Sequence, residues 1–370
     1  MEKDRILTLA VYTYEKAQML KSYLELEGIE CFLENINLIQ GAVSSGVKVR
    51  IQEKDLEKAL ELVDILRESE FRAHLTRSKG RAHILVPVDF TPHSYKALDV
   101  AYDWALKLNA ELTLLHAYFT PVLNSIPFGE NFAFDVTAEE LVVDIRETAE
   151  KGMVEVVEYL NKKNNAQHVK KVEFKTELTN GIAEEEIVKY SNSYHPTIIV
   201  MGTRSKDKKS NDLIGSVTAE VIDMTNYPVL AIPEVYDYKG IDAISNLLYA
   251  TNFDDKDLDA LEKLEEIIKP IKVNIHCTHI GVHTDTKWDE LKMKGLREHL
   301  LRKHKENTII CNLVDNPEYW AGIEDYIKEN NINLVSLTTH RRGFLSRIMN
   351  PNIAKKMLFH TDLPLLVFHG

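Results

Sequence analysis

The chain has 370 residues, of which 44% are hydrophobic and 28% are charged, and this balance predicts a soluble protein of two or three globular domains. Its formal net charge of −12 argues against nucleic-acid binding, which depends on clustered Lys and Arg. Cys31, Cys277 and Cys311 are far apart and show neither disulfide nor metal-ligand spacing, so they suit a reducing cytoplasm. No apolar leader and no run of 18 apolar residues is present, which predicts neither secretion nor a membrane span.

The first 70 residues predict a small α+β domain of ferredoxin-like kind, with the element order βαββα. Gly28 is expected to end the first helix in the left-handed conformation that glycine tolerates. The charged residues 71–80 that follow predict a linker. Strands are predicted at residues 7–11, 28–33 and 47–51. The first helix is predicted to begin after Thr13, and the second is predicted at residues 56–66.

An internal repeat organises the rest of the chain. A short apolar strand ends at Asp89, and the same pattern returns 163 positions later with Asn252 in its place. Closer to the end of each copy, the apolar run 198–201 matches 334–337 at a spacing of only 136. The difference of 27 positions indicates an insertion in the first copy, between Phe119 and Glu147. Two copies of one domain are therefore predicted, at residues 81–236 and 240–370.

Each copy alternates continuous apolar strands with amphipathic helices. In the first copy, helices are predicted at residues 94–108, 141–162 and 183–191. Strands that are apolar throughout indicate a parallel sheet covered on both faces. The fold class is therefore α/β, with two doubly wound parallel-sheet domains after the small N-terminal domain.

Small residues after the fourth strand of the first copy form the clearest candidate for a binding site. Gly202 follows an apolar strand directly, and Gly215 with Ser216 opens a helix. Glycine permits close backbone approach, and free N–H groups at a helix N-terminus favour anions. This spacing predicts a loop that holds phosphates, although a strand-end turn followed by an ordinary helix start would give the same pattern.

Five landmark segments follow one another in the first copy: Val86–Thr91, Leu114–Ala117, Ile199–Thr203, Gly215–Val217 and Pro228–Leu230. In this order they resemble the universal stress protein family, a nucleotide-binding branch of α/β folds related to adenine nucleotide alpha-hydrolases. The resemblance covers nearly all of residues 81–236 and implies binding of ATP or another adenine nucleotide, alone or with Mg²⁺.

The same resemblance implies a role for each candidate site residue. Asp89 would accept hydrogen bonds from the ribose or the adenine edge. The ATP-binding members carry Gly-x2-Gly-x9-Gly-(Ser/Thr), and here Ser205 replaces the second glycine, which leaves open whether binding survives. The residues implied to border the base are Pro87 and Ala117, and those implied to hold ribose and phosphates are Met201, Gly202, Ser205, Gly215, Ser216 and Val217.

The second copy lacks this motif, because Thr338, Arg341, Pro351 and Asn352 stand where the first copy has Gly202, Ser205, Gly215 and Ser216. It is expected to be a structural partner. In this family the last strands of two domains pair, so Tyr227–Ile232 and Leu363–Phe368 are expected to meet antiparallel and form a pseudo-dimer within one chain. A further homodimer stays open.

Residues 1–70 resemble, through the segments 20–29 and 47–49, a small bacterial family of proposed signal-transducing modules. This resemblance implies an unidentified protein partner and no chemistry.

Other chemistry finds less support in the chain. His276, His279 and His283 resemble a metal cluster, but residues three apart on a strand point to opposite faces. His279 also matches His116 in the repeat, which indicates a role in the fold. Neither a Gly-x-Ser-x-Gly elbow nor a Gly-x4-Gly-Lys-(Ser/Thr) loop occurs.

The favoured function is a cytoplasmic protein that binds an adenine nucleotide through its first repeat, in stress response or signalling, and hydrolyses ATP slowly at most. Two alternatives stay open. One is an interaction scaffold that does not bind nucleotides, and the other is a slow ATPase or a nucleotidyl or phosphoryl transferase.

Overall fold

The computed structural model of the protein divides into two compact units, residues 1–80 and residues 81–370. In the part of the chain that is described, no helix is long and apolar enough to cross a membrane. The described residues are 6–12, 14–35, 47–55, 58–59, 62, 81–120, 138–166, 170–203, 216–251, 253, 257–281, 287–303, 307–316, 318–339 and 362–369.

The N-terminal unit is a small ferredoxin-like α+β domain, as predicted. Its described strands form an antiparallel sheet in the order β1-β3-β2, and Leu24 of the helix packs in one buried core with Val49 and Ile51 of the sheet. Gly28 has φ +80°, which confirms that the helix ends in the left-handed conformation. Of the predicted second helix, only residues 58, 59 and 62 are described. The elements are β1 (Ile6–Tyr12), α1 (Tyr14–Leu26), β2 (Cys31–Asn35) and β3 (Val47–Gln52).

The second unit is one ten-stranded sheet with helices on both faces, in the order β11-β10-β9-β12-β13-β8-β7-β4-β5-β6. Its strands are β4 (His83–Pro87), β5 (Glu111–Tyr118), β6 (Phe174–Asn180), β7 (Ile198–Thr203), β8 (Val229–Pro233), β9 (Asn246–Ala250), β10 (Asn274–Gly281), β11 (Ile309–Asp315), β12 (Leu334–Thr339) and β13 (Leu365–His369). Its helices are α2 (Pro92–Leu108), α3 (Ala138–Ala166), α4 (Ala183–Tyr194), α5 (Ser216–Met224), α6 (Asp257–Ile268), α7 (Lys287–Lys303) and α8 (Tyr319–Glu329).

Each half of this sheet has five parallel strands in the order 3-2-1-4-5, counted along the chain. The halves meet where β13 pairs antiparallel with β8, with Leu365 opposite Ala231 and Leu366 opposite Leu230. This is the strand pairing expected from the sequence. It removes two exposed strand edges, which would otherwise offer unpaired backbone groups to other chains.

The prediction that every strand is apolar throughout was wrong for the outermost strand of the first half. β6 has the sequence Phe-Lys-Thr-Glu-Leu-Thr-Asn, and its exposed residues alternate with half-buried ones. Inner strands such as β4 and β8 are buried along almost their whole length. An edge strand has a neighbour on one side only and is covered less completely, so it needs fewer apolar residues.

The two halves repeat a local arrangement at the end of their first strand. Phe90 and Phe253 both have left-handed backbones, with φ 63° and 59°. Phe90 packs against His116 with ring centroids 4.3 Å apart, and Phe253 packs against His279 at 4.4 Å. In each half the histidine Nδ1 also contacts the backbone carbonyl two residues before the phenylalanine, at 2.7 Å and 2.8 Å. The predicted role of these histidines in the fold is confirmed.

Two apolar cores, one on each face of the sheet, run through both halves. One core lies under α2, α3, α6 and α7, and the other lies under α4, α5 and α8. Trp104 of α2 is buried and donates a hydrogen bond from Nε1 to the carbonyl of Ile267 in α6, at 3.1 Å. The halves therefore share their cores as well as their strand pairing. Helix α3 has 29 residues against 17 in α7, which agrees with an insertion in the first half.

Candidate functional site

A cavity of about 230 Å³ lies at the carboxyl ends of β4, β5 and β7. The chain leaves β4 towards β5 on one side and returns to β7 on the other, so this is where the strand order reverses. Open α/β sheets bind their ligands at such a point, outside the carboxyl ends of the strands. The cavity is lined by Pro87, Val88, Asp89, His93, Ser94, Leu115, His116, Ala117, Ala183, Ile187, Met201, Gly202, Val217 and Thr218.

Six of the nine predicted site residues line this cavity: Pro87, Asp89, Ala117, Met201, Gly202 and Val217. Ser216 is the first residue of α5, but its side chain is not described. Ser205 and Gly215 lie outside the described residues, as does the rest of the predicted phosphate loop. The described part of the site therefore comprises the ends of the strands and the first turn of α5.

Asp89 is the charged group at the mouth of the cavity. Its Oδ1 accepts hydrogen bonds from the backbone N–H and the hydroxyl of Thr91, and its Oδ2 lies 3.2 Å from Nε2 of His93. Burial would raise the pKa of Asp89, but the hydrogen bonds from His93 and Thr91 outweigh it and hold the pKa well below its usual range. Because its pKa is low, the carboxylate is ionised at neutral pH. Because it is half-exposed, its oxygen atoms can still accept hydrogen bonds from a ligand.

His93 is a cavity residue that the sequence reasoning missed. It lies in the first turn of α2, four residues after Asp89, and only 8% of it is exposed. The Thr91 hydroxyl lies within 3.0 Å of both ring nitrogens. The spacing of four between an acid and a histidine could have been noticed. It becomes a contact because the chain turns into α2 at Pro92, three residues after Asp89, which brings the first turn of the helix back beside the carboxylate.

Gly202 packs against protein backbone as well as lining the cavity. A Cβ at this position would lie 2.4 Å from the carbonyl oxygen of His93 and 3.0 Å from the backbone nitrogen of Ser94. The expectation that Gly202 is needed for close approach of a ligand therefore gives an incomplete reason for this glycine. The structure requires a glycine here so that β7 can pack directly on the first turn of α2.

Helix α5 is anchored beside the cavity by one hydrogen bond. Thr218 is buried, and its hydroxyl donates to the carbonyl oxygen of Gly202 at 3.0 Å. This contact fixes the N-terminal turn of α5 next to the end of β7, where Val217 lines the cavity. The free N–H groups of a helix N-terminus and its dipole favour an anion at this end.

The positions that match the cavity walls can be identified in the second half by structure as well as by sequence. The matching contacts of His116 and His279 support the spacing of 163 in the early strands. The strand pairings support the spacing of 136 in the later ones, because Gly202 lies opposite Ile232 and Thr338 lies opposite Phe368.

Larger side chains stand at these matching positions. Ile280, at the position of Ala117, is 3% exposed and belongs to the apolar core. Tyr319, at the position of Ala183, packs against the same core. Thr338, at the position of Gly202, is buried with its hydroxyl 3.0 Å from that of Tyr249. The second half thus uses its own side chains where the first half has small residues around a cavity.

The histidines of β10 make separate contacts. His276 is buried with Nδ1 3.1 Å from the Tyr326 hydroxyl, and burial lowers the pKa of its imidazole. His279 contacts Phe253 and a backbone carbonyl instead, and His283 lies outside the described residues. Among the residues that the structure describes, no group of three or more His, Cys, Asp or Glu side chains is arranged to hold a metal ion.

The sequence was compared with known protein families and with individual proteins, and both comparisons match the universal stress protein family. The model of the universal stress protein family matches residues 80–233, and a model described as "Putative prokaryotic signal transducing protein" matches residues 15–67. The chain is 30% identical over 157 residues to the universal stress protein MJ0577 of Methanocaldococcus jannaschii, covering 40% of this chain and 93% of that protein. It is 28% identical over 149 residues to the universal stress protein YxiE of Bacillus subtilis, covering 40% of this chain and 97% of that protein.

One solved structure extends the likeness to both halves of the large sheet. A universal stress protein from Archaeoglobus fulgidus matches with a TM-score of 0.61 and 19% identity, covering 78% of this chain and 98% of that one. At this identity the match supports the fold alone.

Proposed function

The chain belongs to the universal stress protein family, and on that premise we propose that its first repeat, residues 81–236, binds an adenine nucleotide in the cavity beside Asp89. The second repeat, residues 240–370, acts as a structural partner and holds no nucleotide. The protein works as a nucleotide-dependent component of stress response or signalling in the cytoplasm.

The observation that carries this proposal is the position of the cavity. It opens where the strand order reverses, and its lining includes the Asp89 carboxylate and residues of the N-terminal turn of α5. A nucleotide has hydrogen-bond donors on its ribose and adenine and negative charge on its phosphates. Asp89 suits the donors and the helix N-terminus suits the phosphates.

The small residues of the cavity wall support the same orientation. Ala117 and Pro87 present an apolar surface of the kind that borders a planar base, and Met201 lies beside them. The bulk of Ile280 and Tyr319 at the matching positions of the second repeat argues for a single site per chain. The antiparallel pairing of β8 and β13 supports a pseudo-dimer of the two repeats.

Residues 1–70 are proposed to bind a protein partner that reads the state of the nucleotide site. The signal-transducing description of the matching family model supports this role. Turnover is not part of the proposal. The described residues of the cavity present one carboxylate, which His93 and Thr91 already engage, so slow ATP hydrolysis is the most that we expect.

The first test is direct. Freshly purified full-length protein is denatured, and the supernatant is analysed for nucleotides by chromatography and mass spectrometry. Calorimetric titration of the stripped protein with ATP, ADP and AMP, with and without Mg²⁺, then measures affinity. We expect one binding site per chain. A protein that releases nothing and gives no heat with any of the three nucleotides would instead be an interaction scaffold.

A pair of variants shows whether the cavity is the site. Ala117→Ile copies into the first repeat the residue of the second, and we expect it to weaken nucleotide binding at least about 100-fold because the side chain fills the space of the base. The matched control is Ile280→Ala, which changes the same position in the second repeat and should leave affinity unchanged. Equal effects of the two variants would contradict a single site in the first repeat.

A further inference from the structure

Two of the three cysteines, although distant in sequence, are neighbours in the sheet. Cys277 on β10 and Cys311 on β11 are directly paired across parallel strands. Paired residues on adjacent strands point to the same face, and strands lie about 4.8 Å apart. That separation falls within the range of Cα–Cα distances that a disulfide can span. All three cysteines are thiols in this structure, and their spacing in the sequence gave no sign that these two are neighbours.

The two thiols differ in their surroundings. Cys277 is fully buried, whereas Cys311 is half-buried on β11, the outermost strand of the second half. A hydrogen bond with the Cys277 thiol, together with the nearby guanidinium of Arg297, lowers the pKa of Cys311 against the opposing effect of burial. A partly exposed thiol beside a cation is the environment in which thiolates form and react.

We propose that Cys311 and Cys277 are a thiol oxidation site, in which Cys311 reacts with a peroxide and Cys277 then closes a disulfide between β10 and β11. In the first step the Cys311 thiolate attacks one peroxide oxygen. The O–O bond breaks, Cys311 becomes a sulfenic acid, and the leaving hydroxide takes a proton to form water. In the second step the Cys277 sulfur attacks Cys311 Sγ, the S–O bond breaks, and the hydroxyl leaves as water with the Cys277 proton. Two thiols are oxidised and one peroxide is reduced to two waters.

The third cysteine is an internal control. Cys31 in the N-terminal unit is 3% exposed, and burial, the largest influence on it, raises its pKa. A buried thiol with a raised pKa reacts slowly with peroxide, because the thiolate is the nucleophile. The same protein therefore contains one thiol pair that should react and one thiol that should not.

The experiment uses the reduced full-length protein. It is treated with increasing hydrogen peroxide, quenched with N-ethylmaleimide under denaturing conditions, and analysed by intact mass and peptide mapping. We expect the monomer to lose two hydrogens and two alkylatable thiols, with a link between the Cys277 and Cys311 peptides and with Cys31 alkylated. Dithiothreitol should restore all three thiols. Three free thiols after treatment, or Cys311 oxidised to sulfinic acid while Cys277 stays free, would overturn the proposal.

Variants assign the two roles. In Cys277→Ser, peroxide should leave a sulfenic acid on Cys311 that dimedone traps, and no disulfide should form. In Cys311→Ser, neither remaining thiol should be oxidised, whereas Cys31→Ser should behave as the wild type. If Cys311→Ser does not fold, as judged by circular dichroism, the wild-type peptide map decides alone. A Cys277 that is oxidised in Cys311→Ser as fast as in the wild type would contradict these roles.

The influence of Arg297 is tested separately on the native protein. Arg297→Gln should slow iodoacetamide alkylation of Cys311 at pH 7 by about threefold, because a nearby cation stabilises the thiolate. Lys294→Gln, which removes an exposed charge three residues earlier on the same helix, is the matched control and should leave the rate unchanged. Equal rates for all three proteins would contradict activation of this thiol.

Discussion

The two halves of the large sheet keep the same backbone architecture and differ in the side chains at the ends of their strands. Both have the strand order 3-2-1-4-5, a left-handed phenylalanine after the first strand, and a histidine that packs on it. The residues that maintain the fold are thus shared. The halves differ in the side-chain volume at three matching positions. The first half has Ala117, Ala183 and Gly202 there, and the second half has Ile280, Tyr319 and Thr338.

This difference teaches that side-chain volume at the ends of the strands can change without disturbing the shared backbone architecture. Ile280 and Tyr319 join the apolar core, so the second half gains buried apolar area where the first half keeps a cavity.

The largest effect is expected from introducing the same residue at matched positions. Gly202→Val places a side chain where a Cβ already lies 2.4 Å from a backbone oxygen, and it should reduce the free energy of unfolding by about 3 kcal/mol or more. Thr338→Val keeps the shape of the side chain and removes one buried hydroxyl, so it should cost about 1 kcal/mol. Urea denaturation, monitored by circular dichroism, gives the free energy of unfolding of each variant. Similar losses for Gly202→Val and Thr338→Val would show that β7 and β12 pack alike.

The importance of Gly202 could be predicted from the sequence, but the contact that requires a glycine there could not. A glycine after an apolar strand pointed to the right place, because strand ends and helix starts are local patterns. The packing reason for the glycine was missed, since the clashing atom belongs to His93, more than a hundred residues earlier in the chain. The inner strands and the repeat were predictable because each depends on periodicity or on spacing that recurs. The pairing of the halves was expected only from the resemblance to the family.

Contacts across strands were the other part that the sequence could not reveal. Cys277 and Cys311 are separated by helix α7 in the chain and become neighbours only through the parallel pairing of β10 with β11. The larger side chains at the matching positions of the second half were equally hard to recognise from the sequence. Ile280 looks like an ordinary strand residue until its position is matched to Ala117 at the cavity wall.

Removing the charge of Asp89 tests the part of the site that is polar. Asp89→Asn keeps the shape of the side chain and copies the residue found at position 252, and we expect nucleotide affinity to fall about tenfold, which corresponds to one charge-assisted hydrogen bond. Calorimetry measures the loss. The reciprocal variant Asn252→Asp should not create binding, because Ile280 and Tyr319 still occupy the wall positions. Binding gained by Asn252→Asp would mean that charge alone separates the halves.

A smaller effect, equal in both halves, is expected at the shared histidines. His116→Phe and His279→Phe keep a ring beside the phenylalanine but leave a backbone carbonyl without its hydrogen bond, so each should lower the free energy of unfolding by about 1 kcal/mol. Urea denaturation of both single variants and of the double variant checks the value and its additivity. A much larger loss at His116 would indicate that the first half depends on this contact for more than the shared fold.

The smallest effect concerns the acid stability that Asp89 contributes. Its folded-state pKa is held below the unfolded value, so its hydrogen bonds with His93 and Thr91 stabilise the fold fully above about pH 4 and are lost as the pH falls through the folded pKa. Because the carboxylate is half-exposed, the contribution should not exceed about 0.5 kcal/mol. We expect the melting temperatures of the wild type and Asp89→Asn to differ by a constant amount from pH 7 down to about pH 4, and this difference should shrink from pH 4 to pH 2. A difference that already changes between pH 5 and pH 7 would show that another group controls this contact.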